Sequence, residues 1–201
     1  MNILEKNCIQ DELLASYTSW KIGGRADIFF SPDSRDELSE FLKSNDCNIT
    51  WLGNGTNILV RDGGVRGAVI STRKSFNEIE LIDKSSCKVE VGVSCFELAM
   101  YATKNNFGPA AFFSGIPGSI GGALTMNAGC FGNETWEFVK SVEVMDRNGE
   151  IHQLDPEEFS ISYRSVGFPF PLWFLSCVMS FPEEGFTTIE ELKSMRDSRL
   201  E

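Results

Sequence analysis

The chain has 201 residues, 42% of them hydrophobic and 23% charged, which fits a globular domain and excludes a disordered or fibrous protein. Its 18 basic and 29 acidic residues leave a net charge of −11, a field that repels nucleic acid and anionic membrane surfaces. The start, MNILEKNCIQDELL, lacks a signal peptide's basic and apolar regions, and no apolar run approaches the ~18 residues of a membrane span.

A cytoplasmic location is therefore expected. The six cysteines, Cys8, Cys47, Cys87, Cys95, Cys130 and Cys177, form no CxxC and no metal-ligand spacing, and are expected as reduced thiols.

In chain order, an N-terminal arm leads to TSWKIGGR at 18–25 and a strand at 26–30. The Gly23-Gly24 pair reads either as a bulge before that strand or as a loop that closes over a ligand. Ser34 and Glu37 form a capping box, and Leu38, Phe41 and Leu42 an apolar stripe, so a helix is predicted over 34–44. Strands follow at 49–52, 58–60 and 68–71, with a turn at 61–64, giving a small sheet covered by one helix.

Residues 53–57, GNGTN, interrupt those strands. No helix pattern opens there and no Gly-Lys-Ser/Thr occurs, so this is neither a dinucleotide fingerprint nor a P-loop. Two readings stay open. One is a turn with Asn-Gly chemistry; the other is a nest of backbone N–H groups that holds an anion, with Thr56 and the Asn54 and Asn57 amides as further donors.

Strands are predicted at 78–82 and 88–93, then a helix capped by Ser94 and Glu97 with Phe96, Leu98, Ala99 and Ala102 facing inward, ending near 106–109. The next stretch, SGIPGSIGGALTMNAG at 114–129, carries five glycines, one proline and no charge. Gly costs about 0.5–1 kcal/mol relative to Ala inside a helix or strand. An irregular cradle is expected instead, with backbone approaching a ligand closely.

Alternation at 139–145 and 150–154 around DRNG predicts a hairpin. A short Asp155-capped helix, the ISYRS segment at 161–165 and a strand at 173–181 complete the body. Glu157 and Glu158 suit a helix start. A final helix capped by Thr187 and Glu190 is expected to run to Glu201, leaving Ile189, Leu192 and Met195 uncovered for a partner. His152 is the lone histidine, which rules out a His-based triad or multi-His metal site within one chain; no metal is expected.

TSWKIGG (18–24), LGNGTNILVRDGGVRG (52–67), SGIPGSIGGALTMNAG (114–129) and SYRS (162–165), in this order, closely resemble the UDP-N-acetylenolpyruvoylglucosamine reductase (UDP-N-acetylmuramate dehydrogenase, MurB) family. The resemblance implies an α+β fold, a two-subdomain FAD-binding domain of the vanillyl-alcohol-oxidase (PCMH) type. Subdomain 1 is expected at 1–75, subdomain 2 at 76–186, and the start of a helix leading to a further substrate domain at 187–201.

It also implies NADPH-dependent reduction of the enolpyruvyl ether of a UDP-sugar in peptidoglycan precursor synthesis, with FAD as cofactor and NADPH as reductant. The implied FAD-binding residues are Gly53, Asn54, Gly55, Thr56, Asn57, Ser114, Gly115, Ile116, Pro117, Gly118, Gly121, Gly122, Ala123 and Asn127. Tyr163 and Arg164 match the family's catalytic Tyr-Arg pair near the flavin. The family's proton-donating Ser and supporting Glu belong to its third domain and find no counterpart here. The alternative expectation is an FAD-binding module that works with a partner chain. Covalent flavin attachment through Cys130 is a lesser reading, and the position of His152 does not suggest one.

Overall fold

The computed structural model describes residues 7–197. The first half builds a four-stranded sheet. β1 (Cys8–Leu13) pairs antiparallel with β2 (Arg25–Phe30), and β4 (Val65–Ser71) lies between β2 and β3 (Ile49–Leu52), parallel to both. The helix α1 (Arg35–Ser44) links β2 to β3. Adjacent side chains on a strand point to opposite faces, so Phe29 and Phe30 enter different apolar clusters. Phe30 and Ile70 join the main core under α1, while Phe29, Val69 and Leu52 pack with Leu14 and Val60 on the other side. Burial on both faces suits the parallel pairs.

The second half builds a five-stranded antiparallel sheet in the order β10-β9-β13-β6-β5. These are β5 (Ile79–Leu81), β6 (Ser86–Glu90), β9 (Val139–Asp146), β10 (Ile151–Leu154) and β13 (Leu172–Ser180). Two small hairpins sit beside it: β7 (Gly129–Cys130) with β8 (Asn133–Glu134), and β11 (Ser160–Ser162) with β12 (Ser165–Gly167). The helices of this half are α2 (Cys95–Lys104), α3 (Ile120–Met126) and α4 (Ile189–Asp197). One continuous core runs through both sheets.

Polar contacts lock α1 onto the second sheet. Arg35 pairs with Glu143, and its other nitrogen reaches Glu90 at 3.4 Å; Lys88 also meets Glu143, at 3.1 Å. The Ser39 hydroxyl donates to the Gly149 carbonyl at 2.7 Å. Gly149 has φ +71°, and a Cβ there would stand 2.5 Å from Ser39 Oγ, so the DRNG turn needs glycine twice over.

Several expectations are corrected. Residues 58–60 form no strand: β4 takes both parallel ladders of the sheet, and Val60 is held instead by the smaller apolar cluster. The 114–129 stretch is not irregular throughout, since α3 lies inside it. Gly121 and Gly122 are admitted because packing outweighs propensity; a Cβ on Gly121 would come within 3.1 Å of Val91 Cβ. Ser34 caps α1 as expected, but Glu37 returns to the Asp33 N–H, one residue earlier than a capping box requires.

The last helix is capped by Thr188 and Glu191 rather than Thr187 and Glu190. Two of the three apolar residues on its face, Leu192 and Met195, are covered by this chain. Leu192 is fully buried in the main core, Met195 packs against that core, and the Arg196 guanidinium lies 4.4 Å over the Phe96 ring of α2. The expected extension to Glu201 lies outside the described residues.

Candidate functional site

A cleft of about 720 Å³ opens where the two sheets meet, and both glycine-rich segments line it. That size is in the ~300–1,000 Å³ range of small-molecule sites. From the first segment come Gly53, Asn54, Gly55, Thr56 and Asn57; from the second, Ile116, Pro117, Gly118, Gly121, Gly122 and Ala123; and from the β11–β12 turn, Arg164. The Thr56 hydroxyl donates to the Pro117 carbonyl at 2.8 Å and ties the segments together across 61 residues.

The TSWKIGG motif braces the first segment from behind. Ser19 donates to the Gly55 carbonyl through its backbone N–H at 2.9 Å and its hydroxyl at 3.2 Å. Gly55 has φ +67°, and a Cβ there would lie 2.0 Å from the Tyr17 carbonyl oxygen. Gly23 and Gly24, the second open alternative, pack within the protein: a Cβ on Gly23 would meet Val60 Cβ at 2.9 Å, the Gly24 N–H donates to Arg61 O at 3.0 Å, and a Cβ on Gly24 would meet Asp62 O at 2.1 Å. Neither glycine of that pair lines the cleft.

Among the described residues, no protein acceptor takes the backbone N–H groups of Asn54, Gly55, Thr56 or Asn57. They remain free to hold an anion, as a nest does. The start of α3 offers no such donors: Ile120 donates to Val93 O at 2.9 Å, Gly121 to Val91 O at 3.0 Å, and Gly122 to Ser119 Oγ at 3.5 Å. What α3 contributes at Gly121 and Gly122 is bare backbone. A Cβ on Gly122 would have only Ser119 Oγ nearby, at 3.9 Å.

Four expected residues fall off the lining. Ser114 and Gly115 are buried in the turn before the cleft, and Ser114 Oγ has no hydrogen-bond partner. Asn127 is buried with its amide committed to protein groups. Tyr163 is 78% exposed at the hairpin tip. Residues not singled out from the motifs also line the cleft: Trp51, Ile58, Thr125, Met126, Phe168, Trp173 and Phe174 among them. Strand periodicity alone carried a signal for Trp51 and Trp173, which lie on different sheets and stack at 6.1 Å between ring centroids.

Among the described residues, Arg164 is the one charged residue on this lining. It occupies the left-handed region at φ 57°, its guanidinium donates to Gly129 O at 3.0 Å, and it lies 5.8 Å from the Tyr163 ring. A non-glycine residue held there costs of order 1 kcal/mol or more, which surrounding contacts must offset.

The other reactive groups are elsewhere. Burial pushes the Cys87 and Cys95 thiols up to about 12, and Cys177 upward as well, so none supplies a thiolate near neutral pH. Cys130 is buried behind Gly115 and off the lining. His152 sits on β10, 3.1 Å from Asp146. Asp146, Glu150 and His152 bring three ligand-type atoms within 4.8 Å of one another, but Asp146 already accepts from the Asn148 and Glu150 N–H groups.

The donor set fits FAD. Free N–H groups on a neutral loop suit a pyrophosphate, side-chain-free backbone and apolar walls suit a flat ring, and one guanidinium suits a site where negative charge develops.

Comparison with known proteins points the same way. A family described as an FAD binding domain matches residues 26–155. UDP-N-acetylenolpyruvoylglucosamine reductase of Legionella pneumophila (strain Paris) is 41% identical over 188 residues, covering 92% of this chain and 62% of the relative. The same enzyme of Coxiella burnetii (strain Dugway 5J108-111) is 38% identical over 212 residues, covering 93% of this chain and 67% of the relative. The crystal structure of UDP-N-acetylenolpyruvylglucosamine reductase from Thermus caldophilus superposes with a TM-score of 0.73 at 26% identity, over 96% of this chain and 66% of that one. Wild-type Phl p 4.0202, a glucose dehydrogenase, shares the fold at a TM-score of 0.61 and 12% identity, over 90% of this chain and 42% of that one. The chain thus spans about 62% of the length of its Legionella relative.

Proposed function

The chain belongs to the UDP-N-acetylenolpyruvoylglucosamine reductase family, whose cofactor is FAD, and on that basis we propose that its cleft is the cofactor half of such a reductase. The observation that carries this is the convergence of the two glycine-rich segments on one cleft with free N–H groups on residues 54–57. Bound there, FAD supplies two-electron redox chemistry.

The residues divide the work. Asn54, Gly55, Thr56 and Asn57 hold the pyrophosphate, Gly118 and Gly121–Gly122 let the cofactor lie against backbone, and Trp51, Phe168 and Phe174 exclude water. Arg164 offsets negative charge building on the carboxylate side of an enolpyruvyl substrate; a preorganised donor of this kind is worth about 3–4 kcal/mol of barrier. Tyr163, being exposed, packs against a substrate or covering region rather than forming the floor of the site.

NADPH as reductant, the UDP-sugar as substrate and the cytoplasm as the compartment are carried over as proposals from the whole relatives. A second reading is an FAD-binding module that completes turnover together with a partner region. Visible spectroscopy of the purified protein titrated with FAD tests both. A protein that takes up no flavin sinks them together. Flavin uptake, slow bleaching by NADPH and little turnover of the enolpyruvyl substrate supports the module, whereas full turnover supports the complete reductase. Arg164→Ala leaves flavin uptake nearly intact; loss of flavin would make that residue structural.

A further inference from the structure

Asn127 ends α3 in the left-handed conformation at φ 40°, 1% exposed, where its side chain makes three hydrogen bonds to protein. Its Nδ2 donates to Glu134 Oε2 at 2.7 Å and to the Ser162 carbonyl at 3.2 Å, while its Oδ1 accepts from the Trp136 N–H at 3.2 Å. Both polar atoms of the side chain are thus engaged by protein. The bond to Glu134 is charge-assisted, so the amide orientation is firmly set. Trp136 adds to the frame by donating from Nε1 to the Leu124 carbonyl at 2.8 Å, on the last turn of α3.

Ser162 is the residue immediately before the Tyr163–Arg164 turn. The β11–β12 hairpin has three residues per strand, and most of its side chains are exposed; a two-stranded ribbon of that size has little stability of its own. It is gripped at two points: at Ser162 O by Asn127, and at Gly129 O by the Arg164 guanidinium. Both grips end on residues 127–129, the last part of the glycine-rich segment that lines the cleft.

We infer that Asn127 is a positioning residue for Arg164: its amide clamps the hairpin onto α3 and so holds the guanidinium on the cleft wall. This extends the proposed function by naming what aims the cation, and it rests on that reading only for the consequence at the flavin. The type of residue follows from two requirements. Asn tolerates the left-handed conformation, and its amide supplies both a donor and an acceptor at once. Glycine meets the first requirement and not the second, so Asn127→Gly separates the clamp from the backbone role.

Two measurements test it. In limited proteolysis with trypsin, Asn127→Gly is expected to raise cleavage after Arg164 about tenfold, with cuts at the exposed Arg73–Lys74 pair unchanged as the internal control. Unchanged cleavage after Arg164, or an equal rise at both places, overturns the inference, because the second result means general loosening. This arm needs no flavin, so it decides the clamp even if the protein proves unable to take up FAD.

In FAD-loaded protein, the midpoint potential of the flavin reads whether the cation is aimed at it. Arg164→Ala is expected to shift the balance about tenfold toward the oxidised form, which is about 30 mV for a two-electron couple. Asn127→Gly shifts it the same way by less, and adds nothing in the Arg164→Ala background. Additive shifts, or a potential unmoved by Asn127→Gly, overturn the positioning role while leaving flavin binding standing.

Discussion

Residues 53–57 and residues 114–129 are both glycine-rich and both reach the cleft, yet the loop of the first and the helix α3 of the second use their backbones differently there. The first segment runs without regular structure, keeps the N–H groups of Asn54 to Asn57 free, and borrows its rigidity from Ser19 and Tyr17 behind it. The second contains a helix whose first N–H groups are spent on Val91, Val93 and Ser119. What its glycines, Gly118, Gly121 and Gly122, offer a ligand is backbone without side chains. Glycine thus supplies free donors in one place and bare surface in the other. The two uses respond differently to the same methyl group.

Gly55→Ala is the strongest way to break this contrast. It combines a positive φ with a Cβ 2.0 Å from a backbone oxygen, which cannot swing aside as a side chain would. A loss of at least ~3 kcal/mol in urea unfolding is expected, together with loss of FAD uptake. Stability within 1 kcal/mol of wild type would mean the loop is not braced as described.

Gly122→Ala sharpens the contrast because its two effects have opposite signs. The position is helical and open, so the methyl stabilises the fold by about 0.5–1 kcal/mol. It also projects from the cleft lining, and FAD affinity is expected to fall on the order of tenfold, about 1.4 kcal/mol. A melting curve and a flavin titration on the same sample check both signs. Lower stability with unchanged affinity would place the ligand elsewhere.

Thr56→Val is the smallest change. It removes the hydroxyl that joins the segments at Pro117 O and keeps the shape, so about 1 kcal/mol of stability is expected to go, with a modest loss of flavin affinity. No effect on either would mean the segments are held together by the sheets alone.

Much of this was legible residue by residue. The Ser94–Glu97 box caps α2 with both of its hydrogen bonds, and the DRNG turn closes β9 onto β10, because caps and turns are decided by neighbours in the chain. Legibility failed where a distant contact set the outcome. Residues 58–60 look like a strand, but β4 occupies the ladder they would need. Gly121 and Gly122 look unfit for a helix, but Val91 would crowd a Cβ on the first at 3.1 Å. The face of α4 looked uncovered, but α2 and the main core bury Leu192.

The sequence by itself determined the composition class, the local caps and turns, the two glycine-rich segments and the family they resemble, since these depend on residue type and short spacing. Only the tertiary structure decided which atoms of those segments face the cleft. Asn127 belongs to the longer glycine-rich motif, yet its amide turns inward to Glu134, Trp136 and Ser162, while Arg164 reaches the lining from a hairpin 35 residues beyond Gly129. The physical reason is that a polar group buried in a fold must find a partner, and which partner comes within 3 Å is set by packing between distant parts of the chain. The glycine-rich stretch is therefore two things in sequence: a wall left bare at Gly118, Gly121 and Gly122, then, at Asn127 and Gly129, a frame that holds the hairpin of Arg164.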